Sequence, residues 1–566
     1  MWEDQSNDVS GPETPISSLR TTQRAPRSCR SCALRKIKCD KAVPCSTCIR
    51  RGEADICIRE TVIVRGRVTK AKDPGGQQPS YGELAEENAR LRAALGGGPG
   101  AVAQTRDAPP PPGRRAQPVF EEYNEYERLL LGSFGSPKPT PSMNLESIIL
   151  PSRACSHGLV AYDKEWNSWV HYAVEYPEFE QQHDQFMDHL QAGGSLADMD
   201  PFWLAIYFSV ITASLLTMDN DEIEALGLPS ADYHFLQRNW YDAALYFLRR
   251  GDFLRNLRLE TVQAAAILGI SFFNFGDHDL NTTIQACAMS IARTIGLDRG
   301  DPVDGTRLAG MSKEARRRLW WTLVICEWLP GPHPPSVITE MDFDVPLPAV
   351  EASGSVIGPG GLEMHPVQYH IFMARTSTVY NRFRMGLRGS QVPLDEAVRR
   401  ADEELAEIIN TLPQHLSPEG TDRDHESELE ALYPWIRWQR VDVTLVLLCH
   451  RLRINRVLQS EWQADYSQYG WARSICLRAA KDLIWISQNW EQSAAKRSQW
   501  ALAWHVYVAA IFIYSESQQG SQGDQLGWRL DIGRCIHILD NVRARNEVAA
   551  KASDVLKNLL GTESPH

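Results

Sequence analysis

Residues 29–57 read CRSCALRKIKCDKAVPCSTCIRRGEADIC and hold six of the chain's twelve cysteines. Their spacing is C-x2-C-x6-C-x5-C-x2-C-x8-C, formed by Cys29, Cys32, Cys39, Cys45, Cys48 and Cys57. Structural zinc sites hold four ligands in a tetrahedron, and thiolates are preferred ligands of zinc. Six thiolates can fill the positions around two zinc ions only if two sulfurs bridge both ions. The spacing therefore predicts a binuclear zinc cluster.

A disulfide knot is the competing interpretation of six cysteines so close together. Disulfide frameworks belong to oxidising compartments, and the N-terminal MWEDQSNDVS lacks the pattern of a secretory signal. The two C-x2-C pairs are also typical of metal sites. We therefore favour zinc and expect the protein to stay in a reducing compartment.

The cysteine-rich stretch carries most of the excess positive charge. Residues 20–72 contain 15 lysines and arginines against four acids, whereas the rest of the chain has a net charge of −23. Two zinc ions and six thiolates have a net charge of −2, so the basic side chains must outweigh the cluster's own repulsion of phosphate. We expect residues 33–38, ALRKIK, to form a short helix that carries cations. This charge distribution favours binding to a polyanion through one small segment.

The stretch CRSCALRKIKCDKAVPCSTC, followed by Cys57, resembles the zinc binuclear cluster of fungal transcription regulators. The resemblance implies two zinc ions, with Cys29 and Cys45 as the bridging ligands. It also implies binding to double-stranded DNA at CGG-type half-sites, with Lys36 as the base-reading lysine. Such modules place a helix in the major groove, where a lysine can donate to guanine.

Four further cations are candidates for phosphate contacts, which position a protein on DNA without specifying sequence. They are Arg35, Lys38, Arg50 and Arg51. For Arg50 and Arg51, a solvated charge without a DNA contact is an equal alternative.

A short heptad pattern follows the cysteine cluster. Five residues occupy positions a, d, a, d and a of two heptads: Tyr81, Leu84, Asn88, Leu91 and Leu95. A single Asn at an a position favours a parallel two-stranded coil in one register. We predict a homodimer through this segment. A solvated amphipathic helix is the alternative, because two heptads are marginal alone.

Beyond about residue 140 the apolar spacing is that of helices, and sustained alternation typical of strands is hard to find. In residues 281–297, for example, apolar residues recur on one helical face, with Asn281 as expected N-cap and Gly296 as expected terminator. The apolar runs 203–216 and 500–514 are too short to cross a bilayer and predict buried helices. We expect a large all-α domain.

This region resembles the fungal-specific transcription factor domain, or middle homology region, over about residues 145–420. The matching pieces are WLAIYFSVITASLL at 203–216, ACAMSIARTIGLDR at 286–299 and EARRRLWWTLVICEW at 314–328. Arginines beside Trp320 and Trp321 could form an anion site, but aromatic residues at helical spacing are usually core. We therefore expect both tryptophans to be buried.

The chain is thus predicted to be mostly α, with a two-zinc six-cysteine DNA-binding module, a short coiled coil and a large all-α helical regulatory domain. The boundaries are a disordered leader at 1–26, the zinc cluster at 27–60, a basic tether at 61–80, the coiled coil at 81–95, a Gly/Pro-rich linker at 96–140 and the all-α domain at 141–560.

The sequence contains no G-x-S-x-G, H-E-x-x-H or Walker-type motif, so we do not expect an enzyme. We expect a nuclear DNA-binding transcription regulator that contacts the transcription machinery and no membrane. From the resemblance, we favour a pathway-specific activator of a fungal secondary-metabolite gene cluster. The alternatives are a regulator of nutrient-utilisation genes and a repressor that acts mainly through protein contacts.

Overall fold

A computed structural model of the chain contains two compact units, Met1–Arg115 and Ala116–His566. The described residues are 21–22, 28–42, 44–54, 57, 62–64, 67–69, 125–134, 142–229, 232–300, 308, 310–329, 336, 338–351, 354–358, 361, 363–389, 392–418, 423–518 and 525–561. The predicted coiled coil, with Leu84, Asn88, Leu91 and Leu95, lies outside them.

The first unit consists of two short helices and a small sheet. Its elements are β1 (Thr21–Thr22), α1 (Arg30–Leu34), α2 (Ser46–Arg50), β2 (Val62–Val64) and β3 (Arg67–Thr69). Strand β1 pairs in parallel with β2, and β2 pairs antiparallel with β3 in the register Val62↔Thr69 and Val64↔Arg67.

The β2–β3 hairpin lies inside the segment expected to be an irregular basic tether. β-Branched residues are enriched in strands, and Val62, Ile63 and Val64 form an uninterrupted run of them. Of the residues that suggested a tether, Gly66 stands between the two strands in the sequence, and Pro74, Gly75 and Gly76 come after β3. Within residues 61–80, the described part is therefore a hairpin.

The second unit is helical. Its α-helices are α3 (Glu125–Gly132), α4 (Arg153–Trp166), α5 (Ser168–His171), α6 (Tyr176–Gln191), α7 (Pro201–Thr217), α8 (Asn220–Ala225), α9 (Tyr233–Arg250), α10 (Leu259–Leu268), α11 (His278–Thr294), α12 (Lys313–Trp328), α13 (Val367–Gly389), α14 (Leu394–Asn410), α15 (Arg423–Leu432), α16 (Trp435–Asn455), α17 (Gln459–Ala464), α18 (Tyr466–Asn489), α19 (Trp500–Ser517), α20 (Gln525–Asp540) and α21 (Glu547–Gly561). Strands β4 (Val356–Ile357) and β5 (Glu363–Met364) form a two-stranded antiparallel pair.

Two apolar cores organise this unit, and each surrounds one nearly fully buried helix. The first core is built mainly from residues 148–345 around α7, and the second mainly from residues 364–556 around α19. Helix α7 begins at Pro201, where the Asp200 carboxylate accepts the Phe202 N–H at 2.8 Å, an N-cap that satisfies a free donor of the first turn. The buried helices expected at 203–216 and 500–514 are confirmed.

No helix in the described ranges combines the length and apolar character needed to span a bilayer.

Helix α11 shows which end signals in the sequence were reliable. Gly296, at φ 84°, follows the helix and its N–H donates to the Arg293 carbonyl, so the expected terminator is confirmed. The expected N-cap is wrong. The helix begins at His278 after the cap residue Asp277, and Asn281 is a buried residue within it, because the helix extends one turn beyond the apolar periodicity.

The helical unit also begins earlier in the chain than expected. Helix α3 falls in the segment predicted to be a Gly/Pro-rich linker, yet Leu130 is fully buried. The Glu127 carboxylate accepts two hydrogen bonds of 2.9 Å from the Arg456 guanidinium. The Tyr507 hydroxyl donates to the Tyr126 carbonyl at 2.7 Å. These contacts move the start of the described helical unit to residue 125.

Candidate zinc cluster and DNA-binding surface

The first cysteine of each C-x2-C pair begins a helix. The Cys29 Sγ accepts the Cys32 N–H at the start of α1, and the Cys45 Sγ accepts the Cys48 N–H at the start of α2, both at 3.4 Å. The side chain of a cap residue accepts a hydrogen bond from the N–H two or three residues later. Because the cysteines of each pair are three residues apart, the first cysteine can cap the helix, and both sulfurs lie on one side. The two halves of the module therefore repeat the same local structure.

The two helices also end in the same way. After α1, the Lys36 N–H donates to the Ala33 carbonyl and the Ile37 N–H to the Cys32 carbonyl. After α2, the Gly52 N–H donates to Ile49 and the Glu53 N–H to Cys48. This double hydrogen bond is a Schellman ending, which places one residue in the left-handed region. That residue is Lys36, at φ 53°, in the first half and Gly52, at φ 71°, in the second.

The helix expected over residues 33–38 is therefore displaced in the structure. It spans Arg30–Leu34 because the Cys29 cap sets its start. It ends before Lys36 because the left-handed backbone of that residue cannot continue a right-handed helix. Lys36 thus lies at the turn after the helix rather than on it.

The six sulfurs form two overlapping groups of four. One group contains Cys29, Cys32, Cys39 and Cys45, and the other contains Cys29, Cys45, Cys48 and Cys57, with all ligand atoms of a group within 4.8 Å of one another. Cys29 and Cys45 belong to both groups. Five of the six residues are at most 3% exposed, and Cys39 is partly exposed.

The Sγ–Sγ distances fit tetrahedral zinc. A zinc–sulfur bond of about 2.3 Å in a tetrahedron places the sulfurs about 3.8 Å apart. The distance between Cys29 and Cys45 is 3.9 Å, and Cys29 lies 3.8 Å from Cys48. Cys45 lies 3.6 Å from Cys32. Soft thiolates at these separations suit two zinc ions with two shared ligands.

Backbone hydrogen bonds favour the thiolate form of the two shared cysteines. The Cys48 N–H lowers the pKa of the Cys45 thiol to about 6. Burial opposes ionisation of Cys29, but hydrogen bonds from Cys32 outweigh burial and its pKa is also lowered. By contrast, burial raises the pKa of Cys32 to about 12. N–H donation to a sulfur stabilises its charged form, which is the form that binds metal.

The predicted DNA-contacting cations all lie on the surface of this module. Lys36, Lys38, Arg50 and Arg51 are exposed. Arg35 is exposed as well, but its guanidinium forms an ion pair with Glu53 in the other half. That acidic partner was not foreseen from the sequence, because 18 residues separate the two.

The sequence interpretation also missed an apolar side chain beside these cations. Leu34, the last residue of α1, is 75% exposed. In the sequence, the one sign of this exposed side chain is its place directly before the basic run. An apolar residue at that place also fits a buried position of a helix, so the sign is ambiguous.

Family comparisons agree with this geometry. Residues 27–62 match the family model of the fungal Zn(2)-Cys(6) binuclear cluster domain, and residues 164–353 match that of the fungal specific transcription factor domain. The chain carries the two domains of a fungal zinc-cluster transcription factor. It is therefore a transcription regulator rather than an enzyme, and its cluster domain binds two zinc ions. A domain of this kind also implies DNA binding.

Three proteins of similar sequence are named as transcription factors. The chain is 20% identical over 479 residues to the "Probable transcription factor lepB" of Aspergillus flavus, covering 77% of this chain and 82% of the relative. It is 26% identical over 321 residues to the "Aurofusarin cluster transcription factor aurR2" of Gibberella zeae, covering 53% and 44%. It is 20% identical over 614 residues to the "Agnestins biosynthesis cluster transcription factor AgnL11" of Paecilomyces divaricatus, covering 95% and 85%.

A solved structure shares the fold. The chain aligns with one chain of the structure of the K. lactis CBF3 core at a TM-score of 0.53 and 14% identity, covering 79% of this chain and 91% of that chain.

The large domain confirms the expected role of its tryptophans. Trp320 is fully buried and Trp321 is 6% exposed, and both rings pack edge-on against Phe343. The Arg318 guanidinium lies 5.2 Å from the Tyr172 ring centroid. Trp320 and Trp321 belong to the first core and Phe343 packs against it, whereas Tyr172 packs against the second core.

Proposed function

We propose that this protein is a sequence-specific transcription regulator that reads a CGG-type half-site through Lys36. The observation that carries the proposal is the left-handed backbone of Lys36 at a position where the other half of the module has glycine. A non-glycine residue in that conformation costs about 1–2 kcal/mol. The lysine side chain can donate to guanine O6 and N7, and such a base contact is a function that offsets this backbone cost.

The six cysteines divide between the two zinc ions. Cys29 and Cys45 would be ligands of both ions, Cys32 and Cys39 would complete the first site, and Cys48 and Cys57 would complete the second. The shared membership of Cys29 and Cys45 in both sulfur groups supports this division.

The remaining cations divide into two roles. Lys38, Arg50 and Arg51 contact phosphates, since their side chains are exposed on the same small module. Arg35 mainly joins the two halves, because Glu53 neutralises its charge. Phosphate contacts set position, whereas Lys36 sets sequence preference.

The active species is a nuclear homodimer. Residues 81–95, with Leu84, Asn88, Leu91 and Leu95, form the parallel coil that joins two zinc modules on two half-sites. The heptad spacing and the position directly after the zinc module support this assignment. The helical domain then transmits the regulatory signal to the transcription machinery.

The target is a secondary-metabolite gene cluster that the protein activates. Two relatives named for biosynthetic clusters, those of aurofusarin and of the agnestins, support this direction. Control of nutrient-utilisation genes, and repression through protein contacts alone, are the competing functions.

A gel-shift titration with the full zinc-loaded chain tests sequence recognition. We expect tighter binding to CGG-containing duplexes than to a scrambled duplex at the same salt concentration, and loss of that preference with a zinc chelator. Equal affinity for both duplexes would refute sequence-specific recognition.

Transcript profiling of a deletion strain tests the target. Loss of transcripts from one adjacent biosynthetic cluster supports activation, whereas a rise in them identifies a repressor. Scattered changes in carbon or nitrogen genes would identify a nutrient regulator.

A further inference from the structure

Two histidines and one aspartate lie together in the helical unit, outside the zinc module. His157 lies on α4, and His183 and Asp184 are neighbours on α6. One possible ligand atom of each residue lies within 4.8 Å of those of the other two. The rings of His157 and His183 meet edge-on, with their centroids 4.6 Å apart. Two helices therefore bring two imidazoles and a carboxylate together.

The distances and the exposure of these groups suit a metal ion. The His157 Nε2 atom lies 3.3 Å from the Asp184 Oδ1 atom. Bonds of about 2.0–2.2 Å from a tetrahedral zinc ion place two ligand atoms about 3.4 Å apart. The side chains of His157 and Asp184 are 43% and 54% exposed, so an ion can reach both from solution. Imidazole and carboxylate are both ligands of zinc.

The third ligand, His183, is held in place by a hydrogen bond. His183 is 1% exposed, and its Nε2 lies 2.7 Å from the Ser156 Oγ. That oxygen lies 2.7 Å from the Tyr207 hydroxyl. A metal-bound histidine usually donates its other ring N–H to an oxygen, which fixes the orientation of the ring. Ser156 is such an oxygen, and it leaves the second ring nitrogen of His183 for a metal.

One neighbouring cation, Arg153, could compete with a metal ion for Asp184. The Arg153 guanidinium lies 3.9 Å from the Asp184 Oδ1, which is longer than a hydrogen bond. Its hydrogen bonds go instead to Asp188, at 2.6 Å, and to Gln191, at 2.8 Å. Asp188 therefore offsets the charge of Arg153, and Asp184 stays available as a ligand.

We propose that His157, His183 and Asp184 form a third zinc site, separate from the six-cysteine cluster, with water at the remaining coordination position. Its ligands are nitrogen and oxygen atoms, two of its three side chains are partly exposed, and it binds zinc more weakly than the cluster does. Because the ligands come from α4 and α6, a bound ion links these helices. Zinc therefore stabilises the helical domain to a degree set by the free zinc concentration.

Isothermal titration calorimetry with zinc chloride tests the proposal on the full chain whose cluster is already loaded. We expect one further equivalent of zinc to bind. Magnesium should not bind there, because it prefers oxygen ligands. His157→Ala and Asp184→Asn each remove a partly exposed ligand. Each should weaken binding of the third zinc more than about tenfold, since loss of even a supporting hydrogen bond commonly costs that factor.

His189→Ala is the matched control for these variants. His189 also lies on α6, and its Nε2 is 3.7 Å from Asp198 Oδ2, but this pair belongs to none of the possible metal-ligand groups among the described residues. The control should keep the third zinc.

Thermal unfolding followed by circular dichroism gives a second measurement. Added zinc should raise the Tm of the native chain and of His189→Ala, but not that of His157→Ala. Absence of a third equivalent, equal binding of magnesium, or equal zinc affinity in His157→Ala and His189→Ala would overturn the proposal.

Discussion

The energetic cost of the left-handed backbone after each zinc-module helix can be tested by exchanging the two residue types. Lys36→Gly removes a side chain from a backbone at φ 53°, whereas Gly52→Ala adds one at φ 71°. A methyl group at Gly52 would meet no atom within 4 Å, so its cost is that of the backbone conformation alone. We expect each change to shift the folding free energy of the module by about 1 kcal/mol, in opposite directions.

Zinc affinity reports this free energy, because metal binding and folding are coupled in such modules. In a chelator competition with the full chain, Lys36→Gly should raise zinc affinity about fivefold and Gly52→Ala should lower it about fivefold, since 1 kcal/mol corresponds to that factor. Lys36→Ala keeps the strained backbone and should leave zinc affinity near that of the native chain.

DNA-binding measurements separate the effect of Lys36 on the stability of the module from its role in base recognition. Both Lys36→Gly and Lys36→Ala should lose about 1–3 kcal/mol of discrimination for a CGG-containing duplex, while Gly52→Ala should keep it once zinc is saturating. Greater zinc affinity with lost discrimination is the combined result expected of Lys36→Gly. If Lys36→Gly and Gly52→Ala shift zinc affinity in the same direction, the left-handed conformation does not control stability and the reasoning is refuted.

Three further predictions follow from the zinc cluster, the buried ion pair and the heptads. Cys45→Ser should release both zinc ions and Cys57→Ser mainly one, because Cys45 belongs to both sulfur groups and Cys57 to one; zinc per chain by atomic absorption measures this, and equal losses contradict the sharing. Glu127→Ala should lower the unfolding free energy of the helical domain by about 3–5 kcal/mol, because it removes the carboxylate that faces the buried Arg456 guanidinium. Urea denaturation measures this free energy, and a loss below about 1 kcal/mol would contradict the prediction. Charged residues at both Leu84 and Leu91 should convert a dimer to a monomer in light scattering, and an unchanged mass would place the dimer contact elsewhere.

The helix ends show how far local sequence signals reach. Gly296 ends α11 as expected because a glycine in the left-handed region needs no distant partner. Asn281 resembles a cap only because apolar periodicity begins near it, yet the helix starts at His278. The early start of the helical unit escaped detection for a similar reason, because the carboxylate of Glu127 has its partner, Arg456, more than 300 residues away.

The number and spacing of the cysteines by themselves determined that this chain carries a two-zinc module, because six thiolates complete two tetrahedral zinc sites when two of them are shared. Composition and apolar spacing likewise determined the helical class and the buried helices at 203–216 and 500–514, since both depend on local periodicity. Only the tertiary structure decided that Arg456 is the partner of Glu127 and that Ala266, Val446 and His505 line one cavity. These relations depend on how helices distant in sequence pack together, and no local spacing encodes that packing.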